Sequence, residues 1–273
     1  AEYFKLKDSV YIIDKAVAIS KMENDSIYIH GDKLMVTGKA ENRVIKAYRR
    51  VKIFKSDIQG KCDSLVTEEK TGLTKLFTNP VLWAEGNQIT GDTIHFLSNQ
   101  KTEQLDSLKV LNNALMVQKD SAGFSQLKGK NMYGKFKNNK LESLNDVGNS
   151  EVVFFLRDEQ KELIGITKMS SSKNIFITMN NNEIVLIDFN EKPNGNTYPP
   201  SEFLILKDNE KLLKGFVWRA DERPLTKDDI FIKDEELIVP ESKDGKKQIS
   251  KNVNTADLPT NKSEKEKTTP KGK

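Results

Sequence analysis

Cysteine is nearly missing from this chain. Cys62 is the only one in 273 residues, so neither an internal disulfide nor a thiolate metal cluster can form. Histidine is almost as scarce: His30 and His95 lie in separate strand-like stretches, and neither combines with a Ser or Cys nucleophile and an acid into a triad. Glycine-rich phosphate loops are absent. No apolar run approaches the ~18 residues of a membrane-spanning helix. The repeat region also lacks a convincing amphipathic helix of three turns. Residues 104–118 have helix-like spacing, yet Leu108-Lys109-Val110 and Leu115-Met116-Val117 read equally well as two short strands. These absences leave few enzyme classes standing. A carbohydrate-active β-helix enzyme is one, because it assembles its acids across rungs and leaves no local motif.

Charge excludes a further class. The formal net charge is +4, and residues 241–273, with nine Lys against five acids, account for all of it. The remaining body is neutral and shows no excess basic face for nucleic acid. The short run Arg49-Arg50-Val51-Lys52 reads as a solvated strand face. A hydrophobic fraction of 36% beside 31% charged residues describes a chain with a thin core.

What is present is repetition. A phrase of Ile or Leu, any residue, Gly, then Asp or Lys occurs at Ile29-His30-Gly31-Asp32, Ile58-Gln59-Gly60-Lys61, Ile89-Thr90-Gly91-Asp92 and Leu127-Lys128-Gly129-Lys130. Composition alone predicts roughly one such phrase or fewer, and a unit of ~30 residues is too short to bury its own core, so units of this size stack. Around the glycines, Ser26-Ile27-Tyr28-Ile29-His30, Arg50-Val51-Lys52-Ile53-Phe54, Asn79-Pro80-Val81-Leu82-Trp83, Thr93-Ile94-His95-Phe96, Glu151-Val152-Val153-Phe154-Phe155-Leu156 and Asn174-Ile175-Phe176-Ile177-Thr178-Met179 read as strands. Turn chemistry separates them at Glu69-Lys70-Thr71-Gly72, Glu85-Gly86-Asn87, Lys137-Asn138-Asn139 and Asn180-Asn181-Asn182. A second word, Asp then Ser or Thr then an apolar residue, begins at Asp8, Asp25, Asp63, Asp92 and Asp106. Turn-then-strand chemistry explains it. One Asp per ~30 residues is too sparse for a calcium-binding repeat array, so neither a metal nor any other cofactor is expected.

The pattern predicts an all-β fold: an elongated, open β-jelly-roll, or stacked V-shaped β-solenoid, of ~30-residue repeats with a glycine at each bend. Alternate side chains point inward to form an apolar trough, for which Ile27, Ile29, Val51, Ile53, Val81, Trp83, Ile94, Phe96, Val152 and Phe154 are the candidates. Residues 1–192 make the repeat domain. Residues 193–240, broken by Pro193, Gly195, Pro199 and Pro200, are expected to form a cap over the open edge of the last rung. Residues 241–273 have almost nothing to bury and read as a disordered tail.

Several of these stretches resemble a known family. Lys61-Cys62-Asp63-Ser64-Leu65, the run from Asn79-Pro80-Val81-Leu82-Trp83 through Gly91-Asp92-Thr93-Ile94, and Asp25-Ser26-Ile27-Tyr28-Ile29-His30-Gly31-Asp32 are similar to OstA-like proteins, specifically their Bacteroidetes branch. Tyr198-Pro199-Pro200, Gly215-Phe216-Val217-Trp218-Arg219 and Glu222-Arg223-Pro224 extend the resemblance over about residues 1–232. It implies a non-enzymatic periplasmic β-jelly-roll of lipopolysaccharide transport, associated with the outer membrane, whose apolar interior shields acyl chains. The implied partners are lipopolysaccharide or a lipid A-like glycolipid, other transport proteins including an outer-membrane barrel, and further copies stacked end to end. The chain opens inside what reads as a repeat, which leaves room for an N-terminal portion ahead of it, and it contains no barrel region of its own. A structural β-solenoid that binds proteins by strand addition is the competing reading.

Overall fold

The computed structural model describes residues 2–4, 9–21, 25–39, 42–84, 86–99, 101–102, 104–180 and 183–232. The expected tail at 241–273, Asp8 and the turn residues Asn181 and Asn182 lie outside them. Among the described residues nineteen antiparallel strands form one sheet system, folded along a crease into two facing sheets. The first sheet orders β1 (Glu2–Phe4), β2 (Ser9–Ile13), β5 (Lys33–Thr37), the first half of β6 (Val44–Phe54), the second half of β7 (Ile58–Glu68), β8 (Leu73–Phe77), β11 (Thr93–Ser98), the first half of β12 (Leu105–Asp120), the second half of β13 (Gly123–Lys137), β14 (Lys140–Val147), β17 (Asn174–Asn180) and β18 (Glu183–Asn190). The second orders β3 (Val17–Lys21), β4 (Ser26–His30), the other halves of β6 and β7, β9 (Val81–Ala84), β10 (Asn87–Thr90), the other halves of β12 and β13, β15 (Ser150–Arg157), β16 (Leu163–Ser171) and β19 (Asn194–Tyr198). The stretch 104–118, whose spacing reads equally as a helix or as two short strands, is the single bent strand β12. Among the described residues no helix is long and apolar enough to cross a membrane.

A regular local chemistry makes the crease. On alternate passes two consecutive residues take positive φ: Asp14-Lys15, Arg49-Arg50, Thr78-Asn79, Asn112-Asn113, Gly148-Asn149 and Glu191-Lys192. Left-handed backbone bends the strand sharply, and Asn and Gly adopt it at least cost. The pass between takes the bend with its backbone donating across the crease. Asp32 N–H bonds the Arg49 carbonyl at 3.1 Å, Asp63 N–H bonds Thr78 at 3.2 Å, Asp92 N–H bonds Asn112 at 3.1 Å, Lys130 N–H bonds Gly148 at 3.0 Å and Ser172 N–H bonds Glu191 at 3.2 Å.

Three of the four phrase glycines, Gly31, Gly91 and Gly129, therefore stand at the crease. Gly60 does not. It lies within β7, where a Cβ would meet Ile53, Leu76 and Leu82. The crease residue of that pass is Asp63, from the second repeated word, so the structural repeat follows the Asp word there and not the glycine phrase.

After β19 pairs along β16, the chain leaves the sheets. The described part of the expected cap, residues 193–232, does not pair with β18, whose described partner is β17. Residues 199–232 instead run back along the outer surface of the second sheet as a strap. Phe203 and Leu213 pack on Val153, Phe155 and Ile166, and Phe216 packs on Leu115, Val117 and Phe124. The Gln126 amide donates to the Lys211 carbonyl and accepts from Leu213 N–H, and Gln88 does the same with Val217 and Arg219. Further along, Arg223 donates to Gln59, Lys52 donates to the Ile232 carbonyl, and Phe231 meets His30 edge-on. Burying this apolar face, whose strand residues would otherwise be exposed to water, is the driving force for the strap's course.

Candidate functional site

Between the sheets lies one apolar interior. Antiparallel partners share a face, so one inner row of the first sheet reads Ile12, Leu34, Ala47, Leu65, Leu76, Ile94, Val110, Met132, Asp146, Ile175 and Phe189 in strand order. Ile29, Ile53, Ile58, Leu82, Ala84, Ile89, Leu127 and Val152 face it from the second sheet, in the same packed cluster. Along most of its length this interior is filled: Leu65, Leu76, Ile94, Leu108, Val110 and Met132 are all at most 1% exposed. The sheets part near the N-terminal end. There a cavity of about 680 Å³ opens between Ala18, Ile27 and Ile29 on one wall and Ile45, Thr67, Thr74 and Phe96 on the other. Lys21, Arg43 and Lys70 stand at its rim, with Glu68 and Glu69. The Arg43 guanidinium lies 3.6 Å from Glu69.

Of the ten residues expected to point inward, Ile29, Val51, Ile53, Ile94, Phe96 and Val152 belong to the interior cluster, and Ile27 and Phe154 pack against it. Ile27, Ile29 and Phe96 come together at the cavity. Val81 and Trp83 do not point inward. Trp83 is the register partner of Gln59 and Gln88, both of which bond the strap, so Trp83 and Val81 lie on the outer surface beneath it. Every residue of Val81-Leu82-Trp83-Ala84 is apolar and buried, so alternation could not say which pair faces in. Ile45, two residues from Ala47 on the same face of β6, was not among the ten and forms part of the cavity wall.

Asp146 is the one carboxylate in the inner row. It is fully buried, between Met132 and Ile175, and neither of its carboxyl oxygens has a hydrogen-bond partner of acceptable geometry. Burial pushes its pKa up to about 7, opposed only by the neighbouring Ser150 hydroxyl. Gly129 makes the room, since a Cβ there would collide with the carboxyl group.

Other charged groups hold the strap. Arg219 makes a paired bond to Glu222, 2.7 and 2.9 Å, and Lys61 reaches the same carboxylate. Burial works to raise the pKa of Glu222, but the Arg219 guanidinium and the Lys61 ammonium hold it below its ordinary value. Cys62 is buried, and burial raises its thiol to about 12, so it stays protonated and unreactive at neutral pH. Among the described residues no group of three His, Cys, Asp or Glu side chains could hold a metal.

Two creased antiparallel sheets around an apolar interior define a β-jelly-roll. Residues 5–103 match the family described as LptA/(LptD N-terminal domain) LPS transport protein. No curated protein matches the chain. Among solved structures, it is similar to LptH, the LptA homologous periplasmic component of the lipopolysaccharide transport device from Pseudomonas aeruginosa, at 12% identity. That alignment covers 52% of this chain and 96% of LptH with a TM-score of 0.39.

Proposed function

We propose that this protein is a periplasmic component of lipopolysaccharide transport that takes the acyl chains of a lipid A-like glycolipid between its two sheets, beginning at the cavity near Ile29 and Phe96. The observation that carries the reading is the apolar interior, open at one end, which begins inside the matched residues 5–103. Each acyl methylene removed from water contributes about 0.8 kcal/mol. Deeper entry replaces contacts between the sheets with contacts to acyl chains, apolar for apolar, so parting the filled rungs costs little net hydrophobic free energy. The cations at the rim suit the glycolipid phosphates. Periplasmic residence and other transport proteins as partners are what the family matched by residues 5–103 implies.

Affinity for a fluorescent lipid A analogue tests the reading. Ile29→Asp or Phe96→Asp places a charge on the cavity wall and is expected to weaken binding at least about tenfold, while Tyr133→Asp on the outer face leaves it unchanged. Equal binding by all three variants would remove the cavity from the path.

A further inference from the structure

The outer faces of the two sheets differ. The strap covers the second sheet, whereas the first presents a row of side chains across β2, β5, β6, β7, β8, β11, β12 and β13: Tyr11, Met35, Lys46, Val66, Lys75, His95, Lys109 and Tyr133. Lys46, Lys75 and Lys109 recur on every second strand, about 10 Å apart at the spacing of a sheet. Lys33 and Lys135 flank the row on the same face, as do Tyr48 and Phe77. Tyr48 and Tyr133 are 39% and 38% exposed. Against these five lysines β5 to β13 offer Glu68, which lies 3.7 Å from Lys75, and the exposed Asp106 of β12, near Leu97. Among the described residues Lys46, Lys109 and Lys135 have no acidic partner. His95 senses the resulting field: burial lowers its pKa first, and Lys75 and Lys109 on either side lower it further.

We infer that this face docks flat on an anionic phospholipid bilayer. Charge complementarity selects an anionic occupant and excludes the chain's own residues 241–273, which carry nine Lys against five acids. The residue types select a membrane over an acidic protein. Lysine is depleted from protein–protein interfaces, where its strongly hydrated head is costly to bury. Mobile lysine heads above their apolar stems, with tyrosines among them, suit a diffuse layer of headgroup charge. Each lysine at an anionic leaflet contributes about fivefold in affinity, so binding is reversible and falls with salt.

Cosedimentation of the full chain with vesicles of phosphatidylglycerol and phosphatidylcholine, beside vesicles of phosphatidylcholine alone, provides the test. The triple variant K46E/K75E/K109E is expected to bind the anionic vesicles at least about 100-fold more weakly. K207E/K214E/K227E makes the same charge change on the strap and is expected to bind within about twofold of the parent, by the distance over which salt screens a charge. Residues 241–273 are common to all the proteins and do not bias the comparison. Circular dichroism establishes that both variants fold, and unchanged affinity of the first variant for the lipid A analogue separates this result from the transport reading. No sedimentation with anionic vesicles, or equal loss in the two variants, overturns the proposal. So does binding to polyglutamate in place of vesicles, which would assign the face to an acidic protein.

Discussion

Asp146 shows how much one side chain can set. Its folded-state pKa, about 7, lies above the ordinary carboxylate value, so the fold favours the protonated acid. Below about pH 4 the group is protonated in both states and carries no ionisation penalty. As pH rises from there to 7 the unfolded chain ionises while the folded chain does not, and stability falls; above 7 both are ionised and the loss is complete. Asp146→Asn is therefore expected to be more stable than the parent at pH 8 by about 2–4 kcal/mol and to lose the decline between pH 4 and 7. Urea unfolding across that pH range measures both. A parent whose stability rises through the window would contradict the assignment. Nothing in the sequence around Asp146 marks it as interior: only the bend at Gly148-Asn149 places it in a row with Met132 and Ile175, and only the missing Cβ of Gly129 gives it space.

At the scale of elements, the crease and the strap divide what was legible from what was not. Strands at β4, β11, β15 and β17 follow from alternation and turn residues, β9 follows from its apolar run before the turn at Glu85-Gly86-Asn87, and Asn112-Asn113 and Gly148-Asn149 are recognisable bending pairs. Arg49-Arg50 and Thr78-Asn79 are not recognisable, because Arg and Thr take positive φ only where neighbouring strands force it. The strap was illegible for a different reason. Its partners lie across the whole chain, Gln126 with Lys211 and Leu213, Gln88 with Val217 and Arg219, and Gln59 with Arg223, and no local pattern announces contacts at such separation. Gln88→Ala leaves the Val217 carbonyl and Arg219 N–H without partners in a buried setting. It is expected to cost about 1–3 kcal/mol and to speed hydrogen exchange along residues 217–223 more than in β11 or β12. Uniform exchange across all three would mean that the strap is not held there.

On the scale of the whole molecule, the all-β fold follows from the period-2 pattern, and alternation fixes a side chain's face wherever a polar residue breaks the tie. Val81 and Trp83 escaped because no polar residue breaks it in Val81-Leu82-Trp83-Ala84, and the face became known only through a strap that the sequence did not reveal. Trp83 is thus a useful reference: large, buried and apolar, yet on the far side of the sheet from Leu82 and Ile89. The central claim is that acyl chains travel between the sheets. Site-specific photocrosslinking with lipopolysaccharide tests it most directly, with the probe placed in turn at Ile29, Ile53 and Phe96 inside and at Trp83 and His95 outside. Labelling of the glycolipid from the three inner positions and from neither outer one is the predicted result; labelling from Trp83 or His95 with none from inside would contradict it.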